Sequence, residues 1–294
     1  MAPALNLKLI RLATMITNTQ INTFEQEGAV TIDTPLTDDQ LTQAAQLMDT
    51  LLPLGPPRPG EKKPRYRVGE NSLLQPSFVS IIANPFFEEV MKKLLYTDNV
   101  VITNTAIRKT HPQPNAKFEI GEHTDITYGL ADMASKPRRM DLGLFIWIKD
   151  VGPKTAPLMY RPKSHLQIAQ WMDDRPTYLT KSTDINNYVN MQDTHSRPAG
   201  HAKHPDDWPD LEFEDPIPVV GHAGQVSVVN QAAIHGASTN VDTKPRYSFF
   251  IGFRPRDVVM GEAKSRFNGR QSYLPKLREV LPPDRHHLIP DDVQ

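Results

Sequence analysis

Apolar positions along this chain change their period near residue 99. Before it they recur at helical spacing, and after it they come in short β-branched runs. Residues 17–27 read as a short helix ahead of an apolar strand, Ala29-Val30-Thr31-Ile32. Thr37-Asp38-Asp39-Gln40 has the form of a capping box, and Leu41, Ala44, Ala45, Met48, Leu51 and Leu52 then follow on one helical face. That helix is read as scaffold. A second amphipathic helix is expected over 85–96, where Phe86, Val90 and Leu94 are spaced by four with Phe87, Met91 and Leu95 beside them.

The later runs, at 100–107, 142–148, 157–160, 217–220, 225–229 and 247–253, read as strands. Turn signals separate them and there is no alternation of strand with helix, so the expected fold is mainly β with peripheral helices around a jelly-roll double sheet. A single domain accounts for the whole chain: a helical part over about 17–98, a sheet core over about 99–256 and a C-terminal cover over 257–294, with a short helix near 271–281. Residues 1–14 show no clear pattern. Two segments break the scheme. Residues 54–75 carry Arg58, Lys62, Lys63, Arg65 and Arg67 among prolines and glycines and read as a long loop. The insert 166–215, rich in Asp, Asn, His and Pro and holding Trp171, Tyr178, Tyr188 and Trp208, has the character of a lid.

Composition narrows the chemistry. With 27 Pro against 15 Gly the chain is loop-rich but stiffened, as suits a sandwich. A net charge of −1 with interspersed signs offers no footprint for nucleic acid or an anionic membrane, so the expected partner is a small molecule. No apolar run approaches a membrane span, and the N-terminus lacks the features of a signal peptide, which points to a cytoplasmic protein. Cysteine is absent, so any metal must be held by His and carboxylate.

Two His-x-Asp tripeptides occur. In Phe118-Glu119-Ile120-Gly121-Glu122-His123-Thr124-Asp125 the motif ends an extended segment, where side chains two apart share a face. The other, His204-Pro205-Asp206, sits among prolines and acids on what reads as a solvated loop. A third donor for a site at His123 and Asp125 is His235 in Ile234-His235-Gly236. Two histidines and one carboxylate form the facial triad of non-haem Fe(II) oxygenases, which leaves coordination positions free for a 2-oxo acid and O2. Such a co-substrate needs a fixed partner for its far carboxylate, and a guanidinium suits this because it donates two parallel hydrogen bonds.

Several segments together resemble the phytanoyl-CoA dioxygenase family of Fe(II)/2-oxoglutarate oxygenases, over roughly 17–256. His123-Thr124-Asp125 is similar to its first two iron ligands. The run Pro157-Leu158-Met159-Tyr160-Arg161-Pro162-Lys163-Ser164-His165 resembles its Leu-x-x-x-Pro-Gly-Ser-His turn. Gly224-Gln225-Val226 leading to His235-Gly236 and Asn240 resembles its distal-histidine strand. The resemblance implies a cupin-like double-stranded β-helix, His123, Asp125 and His235 as ligands of Fe(II), Arg246 on 2-oxoglutarate, and oxidation of a small metabolite, most simply hydroxylation, with release of succinate and CO2. Similarity to the ectoine-hydroxylase-like branch near Pro137-Arg138-Arg139-Met140 adds Asn104 as a co-substrate contact, with a strand-end asparagine as the alternative. Trp147 is a candidate pocket wall or a core residue, and Tyr188 a lid aromatic. Arg65 or Arg67 either meets an anionic substrate or belongs to a solvated loop. Three departures stand out: Ala237 replaces a small polar residue, Lys163 replaces the glycine of the turn, and Ala106 stands where an ectoine hydroxylase has a basic contact. Halogenating relatives vacate the carboxylate position that Asp125 fills, so oxygenation or dehydrogenation is expected over chlorination. A zinc hydrolase using the same three ligands, and a non-catalytic binding protein on the same sandwich, are the alternatives; oligomeric state is not legible.

Overall fold

The computed structural model of the chain describes residues 15–55, 65–125, 128–174, 212–258 and 272–291. Helices α1 (Asn18–Glu27) and α2 (Asp38–Leu51) each begin with a complete capping box, Thr17 with Gln20 and Thr37 with Gln40, which satisfies donors the helix itself cannot. α1 ends at Gly28 with φ 88°, a left-handed position that glycine adopts without strain. Residues 54–75 are not all loop. They include β2 (Arg65–Val68) and a 3-10 turn over Asn71–Leu74, followed by α3 (Pro76–Ile82) and α4 (Pro85–Leu95), each with Pro in its first turn.

Two antiparallel sheets follow. The larger contains β1 (Ala29–Asp33), β8 (Gln225–Val229), β5 (Leu142–Trp147), β10 (Arg246–Pro255), β3 (Val100–Thr110) and β2, in that order. The smaller contains β4 (Ile120–His123), β9 (His235–Ser238), β6 (Leu158–Tyr160) and β7 (Ile217–Val219). This is the expected jelly-roll arrangement with peripheral helices.

Strand alternation gives the six-stranded sheet two unlike faces. One carries Ile107, Leu144, Ile146, Val226, Val228, Phe249 and Ile251 into a core with α2, α3 and α4, where the Phe249 and Phe78 rings stack at 5.4 Å. The other faces the small sheet. At β5 and β8 it is closed by Trp147, Val229, Leu158, Tyr160 and Val219, which form a second, smaller core. Toward β10 and β3 the same face becomes polar.

Further helices cover the edges: α5 (Leu130–Ala134), α6 (Ser164–Asp174) and α7 (Leu274–Val280). The insert expected over 166–215 therefore starts as a helix. Its remaining residues 175–211, with Tyr188 and the lid assignment, lie outside the described residues, as do His204-Pro205-Asp206, residues 1–14, and Arg58, Lys62 and Lys63. At the C-terminal end a 3-10 segment, Pro283–Leu288, brings Arg285 and His287 onto the buried Glu88 of α4 at 2.6 and 2.9 Å. No described helix is long and apolar enough to cross a membrane.

Candidate metal centre

β4 pairs with β9 so that His123 lies directly opposite His235. The strands approach closely at this point: a Cβ on Gly236 would sit 2.3 Å from the Gly121 carbonyl oxygen, so the residue after His235 must be glycine. His123 Nδ1 lies 2.9 Å from the Gly121 carbonyl, and His235 Nδ1 2.9 Å from that of Ala233. A carbonyl only accepts, so both δ-nitrogens carry the proton and the Nε2 atoms are the ones that would bind a metal. Asp125 is placed by its backbone N–H, which donates to the Gln231 carbonyl at 3.0 Å. Its Oδ1 is 3.7 Å from His123 Nε2 and its Oδ2 3.5 Å from His235 Nε2, and one ligand atom from each residue lies within 4.8 Å of the others. Adjacent vertices of an octahedron with bonds of about 2.1 Å are about 3 Å apart, so a small contraction brings these donors onto one divalent ion. The side chains of His123 and Asp125 are 39% and 37% exposed and that of His235 only 6%, so the triad is open on one side, where further ligands enter.

The residues behind the triad explain the turn after β6. Ser164 Oγ accepts the N–H of Ile234 at 2.9 Å and donates to the Arg161 carbonyl at 2.7 Å, bracing the residue before His235. Lys163 has φ 60°, in the left-handed region that glycine occupies more easily, so its substitution for glycine in this turn is tolerated with strain. Arg161 grips Glu122, on the outward side of β4, through Nε at 2.7 Å and Nη2 at 2.9 Å. His165 is not a ligand: buried against α1, its Nε2 meets the Glu25 carbonyl at 3.0 Å, and burial pulls its pKa down to about 4.

Arg246 opens β10 on the inward face and is only 3% exposed. One Nη donates to the Ala156 carbonyl, Nε has no hydrogen-bond partner, and no carboxylate of the described residues lies within ion-pair distance. Burial, and then the like charge of Arg108, lowers its pKa to about 9. A buried guanidinium without an acid is a standing site for an anion.

The other predicted contacts are placed differently. Asn104 faces inward, but β3 pairs Thr110 with Arg246 and Asn104 with Gly252. Six strand residues separate those pairings, roughly 20 Å at about 3.3 Å per residue, so Asn104 does not meet a five-carbon diacid anchored at Arg246. Its side chain lies over Gly252, where an added Cβ would be 2.2 Å from Asn104 Oδ1. Trp147 is fully buried in the smaller core, and its Nε1 donates to Ser227 Oγ at 2.9 Å, so it plugs the sandwich and offers no surface to a ligand. Arg65 and Arg67 pair with Lys109 and Ile107 and thus share the helix-facing side of the sheet. Arg65 donates to the Pro53 carbonyl and Arg67 to that of Leu51, at the C-terminal end of α2. Neither reaches the inward face.

A cation that does reach it, alongside Arg246, is Arg108. The β-branched run stops at Ile107, but β3 continues to Thr110, and alternation then aligns Ala106, Arg108 and Thr110 opposite Phe250, Ser248 and Arg246. The guanidinium lies 5.9 Å from the centre of the Tyr66 ring. Burial lowers its pKa, while the Asp125 charge raises it. Extending the alternation past the apolar run was the signal for it.

The sequence profile described as Phytanoyl-CoA dioxygenase (PhyH) matches residues 24–248. The chain belongs to this family. No curated protein sequence matches it. Among solved structures, the non-heme alpha-ketoglutarate-dependent carbocyclase SnoK from nogalamycin biosynthesis has 16% identity and a TM-score of 0.58, covering 87% of this chain and 90% of its own. EctD from S. alaskensis with 2-oxoglutarate and 5-hydroxyectoine has 16% identity and a TM-score of 0.54, covering 85% and 80%. HygX from Streptomyces hygroscopicus with nickel and 2-oxoglutarate bound has 12% identity and a TM-score of 0.53, covering 83% and 89%. At these identities the likeness is one of fold, and it agrees with the double sheet described above.

Proposed function

We propose that this member of the family is an Fe(II)- and 2-oxoglutarate-dependent dioxygenase that oxidises a small molecule. The observation that carries this reading is the pairing of an open two-histidine, one-carboxylate triad with a buried, acid-free arginine on the same inward face. Fe(II) held by His123, Asp125 and His235 would supply the oxidising chemistry with O2, 2-oxoglutarate leaving as succinate and CO2. The chain's own part is positioning. Protonated δ-nitrogens fix the two imidazoles, Ser164 and Arg161 brace β4 and β9 from behind, and Arg246 takes the distal carboxylate in two parallel hydrogen bonds. Ala237 supplies no hydroxyl, so Arg246 carries that end without help from the position two after His235.

SnoK is described as a carbocyclase and EctD occurs with 5-hydroxyectoine, so the fold serves more than one outcome. With Asp125 filling the carboxylate position, hydroxylation is the outcome proposed here. Ala106 argues against ectoine itself as substrate. A zinc hydrolase would leave the buried arginine without a purpose.

The test is 2-oxoglutarate binding to the metal-loaded protein and succinate formation across candidate substrates. Arg246→Ala is expected to weaken 2-oxoglutarate binding by about tenfold or more, with Arg246→Lys restoring part of it, because one charge-assisted pair is lost and the bidentate geometry with it. Unchanged affinity in both variants, or no succinate from the parent protein, refutes the reading.

A further inference from the structure

Among the described residues, the inward face holds one more positive charge than the proposed reaction uses. Two neutral histidines contribute none. A divalent metal, Asp125, Arg246 and a doubly charged 2-oxo diacid cancel one another. Arg108 is left over.

Among the described residues it has no acid within ion-pair distance. It lies half-buried on the same face of β3 and β10 as Arg246, one diagonal step away across the Ser248 pairing. It makes no ion pair or hydrogen bond to protein within the described residues, and the charged or ionisable groups acting on it are Asp125, Tyr66 and Arg246. Asp125 is a proposed metal ligand and stands beyond ion-pair distance, so its charge is already committed. Like-charge repulsion between the two arginines persists in a folded protein when a ligand relieves it. Arg108 stands where the inward face changes character: Ser248, Thr110 and Arg246 make it polar on one side, and Ala106 with Phe250 makes it apolar and aromatic on the other. Ala106 precedes it on the strand, and the half-buried Phe145 and Phe250 rings meet edge to face at 5.0 Å. Tyr66, on edge strand β2, is 53% exposed and covers the guanidinium from the open side.

We infer that Arg108 is the substrate's anion anchor, and that the substrate of this enzyme is a monocarboxylate whose apolar body lies against Phe145 and Phe250. This rests on the reading above, in which Arg246 and the metal take 2-oxoglutarate. A planar guanidinium fits a carboxylate through two parallel hydrogen bonds, and the Tyr66 ring, 5.9 Å from its central carbon, adds an aromatic contact beside it. The assignment also moves the expected anion contact from Arg65 and Arg67 to a residue that faces the metal.

The experiment uses the full chain loaded with Ni(II) and 2-oxoglutarate, so that no turnover intervenes, and three acid and amide pairs as probes: benzoate and benzamide, phenylacetate and phenylacetamide, 3-phenylpropionate and its amide. Calorimetric titration is expected to show at least one acid binding about tenfold tighter than its amide, in keeping with a charge-assisted pair in a partly buried site. Arg108→Met should abolish that preference while the 2-oxoglutarate affinity, titrated separately, stays within about threefold of the parent, well under the loss from a broken charged pair. Thermal melting of Arg108→Met establishes that it is folded, and Arg108→Lys is expected to restore part of the preference. Absence of any acid preference across the three pairs overturns the inference. A loss of 2-oxoglutarate affinity in Arg108→Met equal to that in Arg246→Met also overturns it, by making Arg108 a second co-substrate contact. If the parent protein does not bind 2-oxoglutarate at all, the underlying reading fails first and this inference with it.

Discussion

Lys109 and Arg108 are neighbours on β3 and point to opposite faces of the sheet. Lys109 is 2% exposed on the helix-facing side, ion-paired to Asp49, with its ammonium 5.1 Å from the centre of the Tyr247 ring, whose hydroxyl donates to the same carboxylate at 2.7 Å. Burial alone would raise the Asp49 pKa, but the hydrogen bonds from Lys109 and Tyr247 and the charges of Lys109 and Lys149 bring it below the usual carboxylate value. Every charge there has a protein partner. On the inward face Arg108 and Arg246 have none among the described acids, and each holds its proton less firmly because of burial. A buried cation answered by the protein is architecture; one left unanswered marks where a ligand supplies the missing charge.

The difference can be broken from either side, and the largest effect is expected at the metal. His235→Ala or Asp125→Ala should reduce metal occupancy and succinate formation by about two orders of magnitude or more, beyond the range for outer-shell changes. Melting temperature of the metal-free protein should change little, because neither residue belongs to the apolar core. Metal content and calorimetric melting together decide this. A large loss of stability in the metal-free protein would make the triad part of the scaffold.

On the helix-facing side the pattern should invert. Asp49→Ala leaves the Lys109 ammonium buried without its acid and is expected to cost about 2–4 kcal/mol, whereas Lys109→Met removes both the charge and the need for it and should cost about 1–2 kcal/mol. Denaturant unfolding measures both. Neither should shift 2-oxoglutarate affinity; a shift would show that the two faces are coupled through β3.

A third buried charge sharpens the comparison by pH. Asp141, at the entry to β5, is 2% exposed; its N–H donates to Tyr128 Oη at 2.9 Å and its Oδ1 has no hydrogen-bond partner. Burial pushes its pKa up to about 7, with the Arg254 charge opposing the rise. An acid that holds its proton more tightly when folded stabilises the fold fully below its unfolded pKa of about 3.9, and that stability is lost as pH rises toward about 7. Wild-type stability should therefore fall by roughly 2–4 kcal/mol between about pH 4 and pH 8 from this group, and Asp141→Asn should flatten that part of the profile. Equal slopes in the two proteins would mean that Asp141 stays ionised throughout.

What the sequence made legible followed from short-range rules. The capping box at Thr37, helical periodicity, β-branched runs and the His-x-Asp spacing all report on residues a few positions apart, and each led to an element the structure contains. Long-range register was not legible. Which face Arg65, Arg67 and Arg108 occupy depends on how β2 and β3 pair, and a shift of one residue exchanges the faces. Asn104 is likewise assigned to the co-substrate by resemblance alone, and only the pairing of β3 with β10 shows how far along the strand it lies from Arg246. Trp147 reads as a candidate wall but more commonly as a core residue, and its contacts with Gly221 and Ser227 place its indole in the core.

The smallest expected effect tests that register directly. Arg65 and Arg67 lie on β2 with their guanidinium groups at the C-terminal end of α2, and Arg67 also pairs with Glu70 at 2.6 Å, both side chains being more than a third exposed. Carbonyls at a helix C-terminus attract cations, but solvent and salt screen the attraction at such exposed positions. Arg67→Gln should therefore cost about 0.3–1 kcal/mol in denaturant unfolding, with Arg65→Gln in the same range, and added salt should shrink both differences. The acid preference of the metal-loaded protein should be unchanged in both variants, in contrast to Arg108→Met. If Arg67→Gln lost that preference as Arg108→Met does, β2 would have to pair one residue out of the register seen here, which would turn Arg67 inward and Tyr66 toward α2. The assignment of the anion site to Arg108 would then give way to the edge strand.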